Sequence, residues 1–195
     1  IWEFDGETDV QTSSAVQVAV PFFPPTDFLS MDEFALENDL PSQYFLHDPP
    51  TSPESFLIQC PGEPAPVLPP IPPANPLLVS IQDCPDETEE ADPSSYIEGA
   101  EIPIWVLHGL ADPLLPFNQS ELVYDTTTAE GNEARFTLVP SAGHSVNDII
   151  DAEEATTWTT NRGGKEKELE GTGPSWDEIE HFLHVNLSRA RGKGR

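Results

Sequence analysis

Basic residues are the scarcest feature of this chain. Eight Lys and Arg stand against 35 Asp and Glu, a formal charge of −27, and none of the eight precedes Arg135. A charge of that size repels phosphate backbones and anionic lipid, which excludes nucleic acid and membrane surfaces as partners. Long apolar runs are missing as well: no stretch reaches the roughly eighteen residues that a hydrophobic membrane-spanning helix needs. Cysteine is limited to Cys60 and Cys84, with no histidine close to either. Two such thiols do not make a zinc site, so no metal is expected, and nothing in the chain calls for a cofactor. The pair reads as a disulfide in an exported protein or as two inert buried thiols. The disulfide is the preferred reading, and with it a secreted or periplasmic location. The chain opens on Ile1 with neither a methionine nor a signal-peptide pattern, which reads as a processed or partial sequence.

What is present bounds the fold. A length of 195 residues suffices for one domain with a real core, and the 37% hydrophobic content is low for a globular protein yet above that of a disordered one. The 22 prolines crowd between Pro21 and Pro116 and are densest from Pro61 to Pro76. Prolines at that density fix φ and remove backbone donors, so residues 61–80 read as an inserted polyproline-like surface loop. Such a loop is a spacer, or a ligand for a proline-reading domain. The acidic surface suits high salt, where self-repulsion is screened, and equally serves solubility.

Along the chain, 15–23 is a continuous β-prone run ended by Pro24-Pro25, which suits a strand buried on both faces. An acidic stretch from Met31 to Leu40 holds a short helix, and Ser52-Pro53 starts another, with serine as N-cap and proline in the first turn. Ile102 to Leu107 is a strand, Asn118 caps the helix after it, and Arg135 to Val139 is the next strand. Residues 147–160 read as part helix and part loop, and 161–174 as a polar loop. Ser175 and Glu178 form a capping box for a last helix through Ile179, Phe182, Leu183 and Leu187. Residues 189–195 read as a basic, disordered tail. Strand, helix, strand, helix is an α/β order and implies a parallel sheet flanked by helices.

Two residues could carry chemistry together. Asp112 follows one strand and His144 the next, 32 positions later, the span of one strand–helix–strand crossover. Crossover of parallel strands brings both carboxyl-end loops to one edge of the sheet, where active sites form. There a carboxylate can hold one imidazole nitrogen protonated and leave the other as a base. Each residue alone also has an ordinary reading, the aspartate as turn chemistry before Pro113 and the histidine as a loop residue. His108, at the end of the first strand, reads as a support for the acid turn. His47, His181 and His184 have no partner by sequence.

The stretch Val106-Leu107-His108-Gly109-Leu110-Ala111-Asp112-Pro113-Leu114-Leu115-Pro116, followed by Gln119-Ser120, resembles the acid loop of α/β-hydrolases. Its nearest branch is the bacterial carboxylesterases of the feruloyl-esterase-like kind, related to prolyl oligopeptidase. Gly143-His144 is similar to that family's histidine loop. Phe22-Phe23-Pro24-Pro25-Thr26-Asp27-Phe28 and Ser52-Pro53-Glu54-Ser55 also resemble that branch. The resemblance implies the C-terminal half of an α/β-hydrolase fold with a proline-rich insertion. Residues 1–188 would be a partial domain, Asp112 and His144 catalytic, and His108, Gly109 and Gly143 supporting.

Family order is nucleophile, acid, histidine, and no Gly-x-Ser-x-Gly elbow occurs in this chain. Ser13-Ser14 lack flanking glycines, Ser141 and Ser145 adjoin His144 in sequence, and Cys60 has no elbow around it. The implied function is a carboxylic-ester hydrolase with a small-molecule ester substrate, completed by an upstream half of the same hydrolase. The alternatives are a non-catalytic, truncated or degenerate hydrolase-like binding protein, a peptidase fragment of the prolyl oligopeptidase type, or an acidic, proline-rich interaction module.

Overall fold

The computed structural model describes residues 16–40, 46–59, 79–97, 102–161 and 165–193. Its sheet has four strands in the order β1 (Ile104–Gly109), β2 (Ala134–Val139), β3 (Ala155–Thr160) and β4 (Glu166–Gly171). β1 and β2 run parallel; β3 is antiparallel to β2, and β4 to β3. On the other side of β1 the extended segment around Val18 to Phe23 pairs in parallel through Ala19↔Ile104 and Phe22↔Leu107. Backbone bonds from Ala19, Trp105, Leu107 and Phe23 tie it down. The sheet is therefore parallel where it carries the acid and histidine loops and antiparallel beyond β2.

Every residue of β1 is buried. Successive side chains of a strand point to opposite faces, and here both faces are covered. Ile104 and Val106 join Val123 and Tyr124 of α4 (Asn118–Ala129). Trp105 and Leu107 face Ile179 and Phe182 of α6 (Trp176–Lys193). Arg135 of β2 lies on that second face, its guanidinium 5.1 Å from the Trp105 ring centre and 4.9 Å from that of Phe182. Burial tends to lower the Arg135 pKa, and among the nearby charges Glu133 and Glu178 favour its charged form.

Three short helices, α1 (Met31–Glu37), α2 (Pro53–Ile58) and α3 (Pro85–Ala91), cover the acid loop. Phe28, Met31 and Ile81 bury there against Leu115, with Ile58, Ala91 and Leu114 packed around them. α2 starts as its sequence implies: Pro53 is in the first turn, and Ser52 Oγ accepts from Ser55 N at 3.0 Å. Cys84, just before α3, is buried and disulfide-bonded. Cys60 and residues 61–78 of the proline-rich loop lie outside the described residues.

Four local expectations are corrected. Residues 155–160 are a strand, because the β-branched run Ala155-Thr156-Thr157-Trp158-Thr159-Thr160 fits a pleated, half-buried surface. Residues 166–171, expected within a polar loop, form β4, whose six residues are all exposed and which pairs along its length with β3. Asn118 does not cap α4; it is the first helical residue, and its amide reaches Glu121 at 3.3 Å. The last helix runs on to Lys193 rather than ending in a disordered tail at 189, and Arg189 pairs with Glu133 at 2.9 Å. Its start does carry the reciprocal pair: Ser175 N donates to Glu178 Oε2 at 2.8 Å, and Glu178 N to Ser175 Oγ at 3.3 Å.

Candidate active site

The loops after β1 and β2 are clamped to each other. Leu110 N bonds Val139 O at 2.9 Å, and Ala111 N bonds Ala142 O at 3.0 Å. The contact is so close that a Cβ on Gly109 would lie 2.2 Å from Ala142 O, which only glycine avoids. Gly143 is different: among the described residues a Cβ there would meet nothing nearer than 3.9 Å.

This clamp brings Asp112 and His144 together. Asp112 Oδ2 lies 2.8 Å from His144 Nδ1. The other oxygen, Oδ1, accepts from Leu114 N at 2.8 Å and Leu115 N at 3.1 Å, closing the turn around the carboxylate. Asp112 is 1% exposed, whereas the His144 side chain is 30% exposed. The acid is thus sealed and the imidazole reaches solvent. Burial by itself raises the Asp112 carboxyl, but hydrogen bonds from His108, Leu115, Leu114 and His144 outweigh it and hold the carboxyl below its ordinary value.

His108 is fully buried behind the acid. Its Nε2 donates to Leu115 O at 3.1 Å with Asp112 Oδ2 3.5 Å away, and its Nδ1 lies 2.6 Å from Ser120 Oγ on α4. Among the described residues, Asp112 is the one hydrogen-bond partner of His144.

Sequence reasoning singled out no role for three further contributors. Phe23 packs against His144 with ring centres 4.1 Å apart and planes tilted by 44°, and its φ of 36° lies in the left-handed region, a strained setting for an aromatic residue. Gln119 is buried and uses its whole amide on the 26–27 turn, accepting from Thr26 N at 2.7 Å and Asp27 N at 2.8 Å and donating to Asp27 O at 3.0 Å. Both residues lie inside the quoted motifs, which was their only signal. The third is His47, whose Nε2 donates to Leu114 O at 3.0 Å from 67 positions away. Nothing local in the sequence marks it. His181 and His184 fall on exposed positions of α6, away from Asp112 and His144 in sequence and on a different element.

Residues 96–171 match the model of the secretory lipase family, an interval that holds both Asp112 and His144. The matched segment is α/β-hydrolase-like. Among solved structures, a truncated form of a carbohydrate esterase from gut microbiota is similar to this chain at 22% identity and a TM-score of 0.47. That likeness covers 68% of this chain and 37% of the esterase. A puromycin hydrolase is similar at 16% identity and a TM-score of 0.42, over 69% of this chain and 16% of that one. The chain therefore spans well under half the length of either protein. No curated protein matches it. Among the described residues, no helix is long and apolar enough to cross a membrane.

Proposed function

We propose that this chain supplies the acid and the base of a carboxylic-ester hydrolase that works by a Ser-His-Asp mechanism. The observation that carries the reading is the 2.8 Å contact between a sealed carboxylate and an imidazole open to solvent. Asp112, held ionised, fixes His144 with its proton on Nδ1 and steadies the imidazolium, so Nε2 is the nitrogen that takes a proton. In this reading the serine comes from a Gly-x-Ser-x-Gly segment that the present sequence does not contain. His144 removes its proton as the oxygen attacks the ester carbonyl, then hands the proton to the departing alkoxide. Water, deprotonated in turn by His144, attacks the acyl carbon; the bond to the serine oxygen breaks, the imidazolium returns the proton to that oxygen, and the free acid leaves. His108 and Gly109 support the acid loop. The secretory lipase match supports the class, and the resemblance suggests acyl esters of sugars, phenolics or short acids. The Cys84 disulfide supports an exported protein.

The experiment is hydrolysis of a p-nitrophenyl acyl ester by the chain alone and by the chain joined to its upstream coding segment. The expected result is no turnover by the chain alone and turnover by the joined protein, falling by about 10⁴-fold in Asp112→Asn and at least as far in His144→Ala. Turnover that survives His144→Ala removes the assignment. A non-catalytic, hydrolase-like binding protein is the second reading, favoured by the lack of any hydroxyl bonded to His144 among the described residues. Absence of a serine elbow upstream would select it.

A further inference from the structure

The acid loop is held at both backbone polar groups of two successive residues, and its 114–115 peptide is gripped on both sides. The N–H groups of Leu114 and Leu115 point at the Asp112 carboxylate. Their carbonyl oxygens are taken by two different buried imidazoles, Leu115 O by His108 and Leu114 O by His47. His108 comes from the adjoining strand, but His47 reaches in from the helical cover and is 3% exposed.

His47 is itself built in. Its backbone N–H donates to Asp32 Oδ1 at 2.8 Å, and that of Asp48 to Asp32 Oδ2 at 3.2 Å, which ties the 47–48 turn to α1. Its Nδ1 faces Glu54 Oε1 of α2 at 3.1 Å, with side-chain exposures of 4% and 8%. The contact is an ion pair by distance, but among the described residues neither His47 Nδ1 nor Glu54 Oε2 has a hydrogen-bond partner. A carboxylate and an imidazole are costly to bury, and a pair so imperfectly satisfied contributes little stability of its own. Burial works to lower the His47 pKa, but Glu54, Leu114 O and Asp32 outweigh it and hold it above its ordinary value. The groups that face His47 are therefore Glu54 on α2, Asp32 on α1 and Asp48 beside it in the turn.

We propose that His47, backed by Glu54, is a positioning residue that sets the angle of the Asp112 carboxylate toward His144 through the Leu114–Leu115 peptide. The proposal rests on the reading of Asp112 and His144 as acid and base. With Leu114 O fixed, the Leu115 N–H on the other side of the same peptide stays aimed at Oδ1, and Oδ2 is left facing His144. With that anchor gone, the turn can rotate and the carboxylate loses its orientation while the core beneath it stays intact.

The test uses the full chain labelled with ¹⁵N-histidine and reads the His144 ring by NMR, without any need for turnover. In the unaltered protein the Nδ1–H tautomer of neutral His144 should dominate, with a downfield Nδ1 proton bonded to the carboxylate. His47→Leu should lower the Nδ1–H to Nε2–H ratio by about threefold or more and broaden that proton. His47→Gln, whose amide places a donor near the lost Nε2, should restore both. A His144 signature unchanged in folded His47→Leu overturns the proposal, as does a change that His47→Gln fails to rescue. Should His47→Leu not fold, Glu54→Gln decides: a smaller shift in the same direction supports the proposal, and an unchanged ratio overturns it. If the unaltered chain lacks the bonded Nδ1 proton, the acid–base reading itself fails, an outcome distinct from failure of His47 alone.

Discussion

β1 and β4 are six-residue strands of the same sheet and could hardly differ more. Ile104-Trp105-Val106-Leu107-His108-Gly109 is buried at every position; Glu166-Lys167-Glu168-Leu169-Glu170-Gly171 is exposed at every position. β1 is held from both faces by helices and from both sides by parallel neighbours. β4 is a sheet edge whose charges discourage pairing with another chain. Burial pins a backbone, and the proposed site stands where the backbone is pinned, at the ends of β1 and β2. The sharpest way to break this comparison is to truncate a side chain beneath each end of the sheet. Phe182, 2% exposed and with its ring 5.4 Å from that of Trp105, lies under β1. Phe182→Ala should cost about 3 to 5 kcal/mol in urea unfolding. Leu169→Ala, on β4, should stay within about 0.5 kcal/mol. Comparable losses would mean that the antiparallel side carries as much of the fold as the parallel side.

The glycines that end the two strands repeat the comparison at smaller scale. A Cβ on Gly109 would lie 2.2 Å from Ala142 O, a backbone atom that cannot swing away, whereas one on Gly171 would meet nothing within 4 Å among the described residues. Gly109→Ala should therefore cost about 1 to 3 kcal/mol in the same measurement, by forcing the acid and histidine loops apart. Gly171→Ala should be close to neutral.

The same contrast explains what could be read from the sequence. β1 announces itself through the continuous apolar run Ile104 to Leu107, as a strand buried on both faces demands, and the turns that end β1 and β2 carry the polar groups that face solvent. The 32-residue spacing of Asp112 and His144 then follows from crossover geometry. β4 has no such signal: Glu166 to Gly171 is polar, poor in β-branched residues, and extended because β3 offers it a ladder. β3 was legible in principle from its threonines. Asn118 looked like a cap because its residue type favours that position, but its side chain is spent on Glu121 and on Asn38, whose amide donates to it at 2.6 Å. The contacts that steady the site were the least legible. His47 to Leu114 and Gln119 to Thr26 join positions 67 and 93 residues apart, and no local pattern encodes them.

The smallest effect separates the two regions by sign. Asp112, in the acid loop, is held below its ordinary carboxylate value of 3.8 by its hydrogen bonds. A group lowered on folding contributes stability that is present above that value and lost as pH falls through the still lower folded value. Asp125, on α4 facing β4, is raised above 3.8, first by burial and then by the Glu166 carboxylate. Its ionised form is disfavoured by folding, so it lowers stability once pH rises through its folded value. Asp112→Asn should therefore be less stable than the unaltered chain at neutral pH, and Asp125→Asn slightly more stable. Both differences should shrink as the medium is acidified below about pH 4. Asp125 keeps part of its surface in solvent, so added salt should shrink the Glu166 share of its difference while leaving that of the sealed Asp112 nearly intact. Urea unfolding of the three proteins across pH, with and without salt, checks both signs. Two differences of the same sign would mean that the acid loop is electrostatically no different from the acidic surface around it.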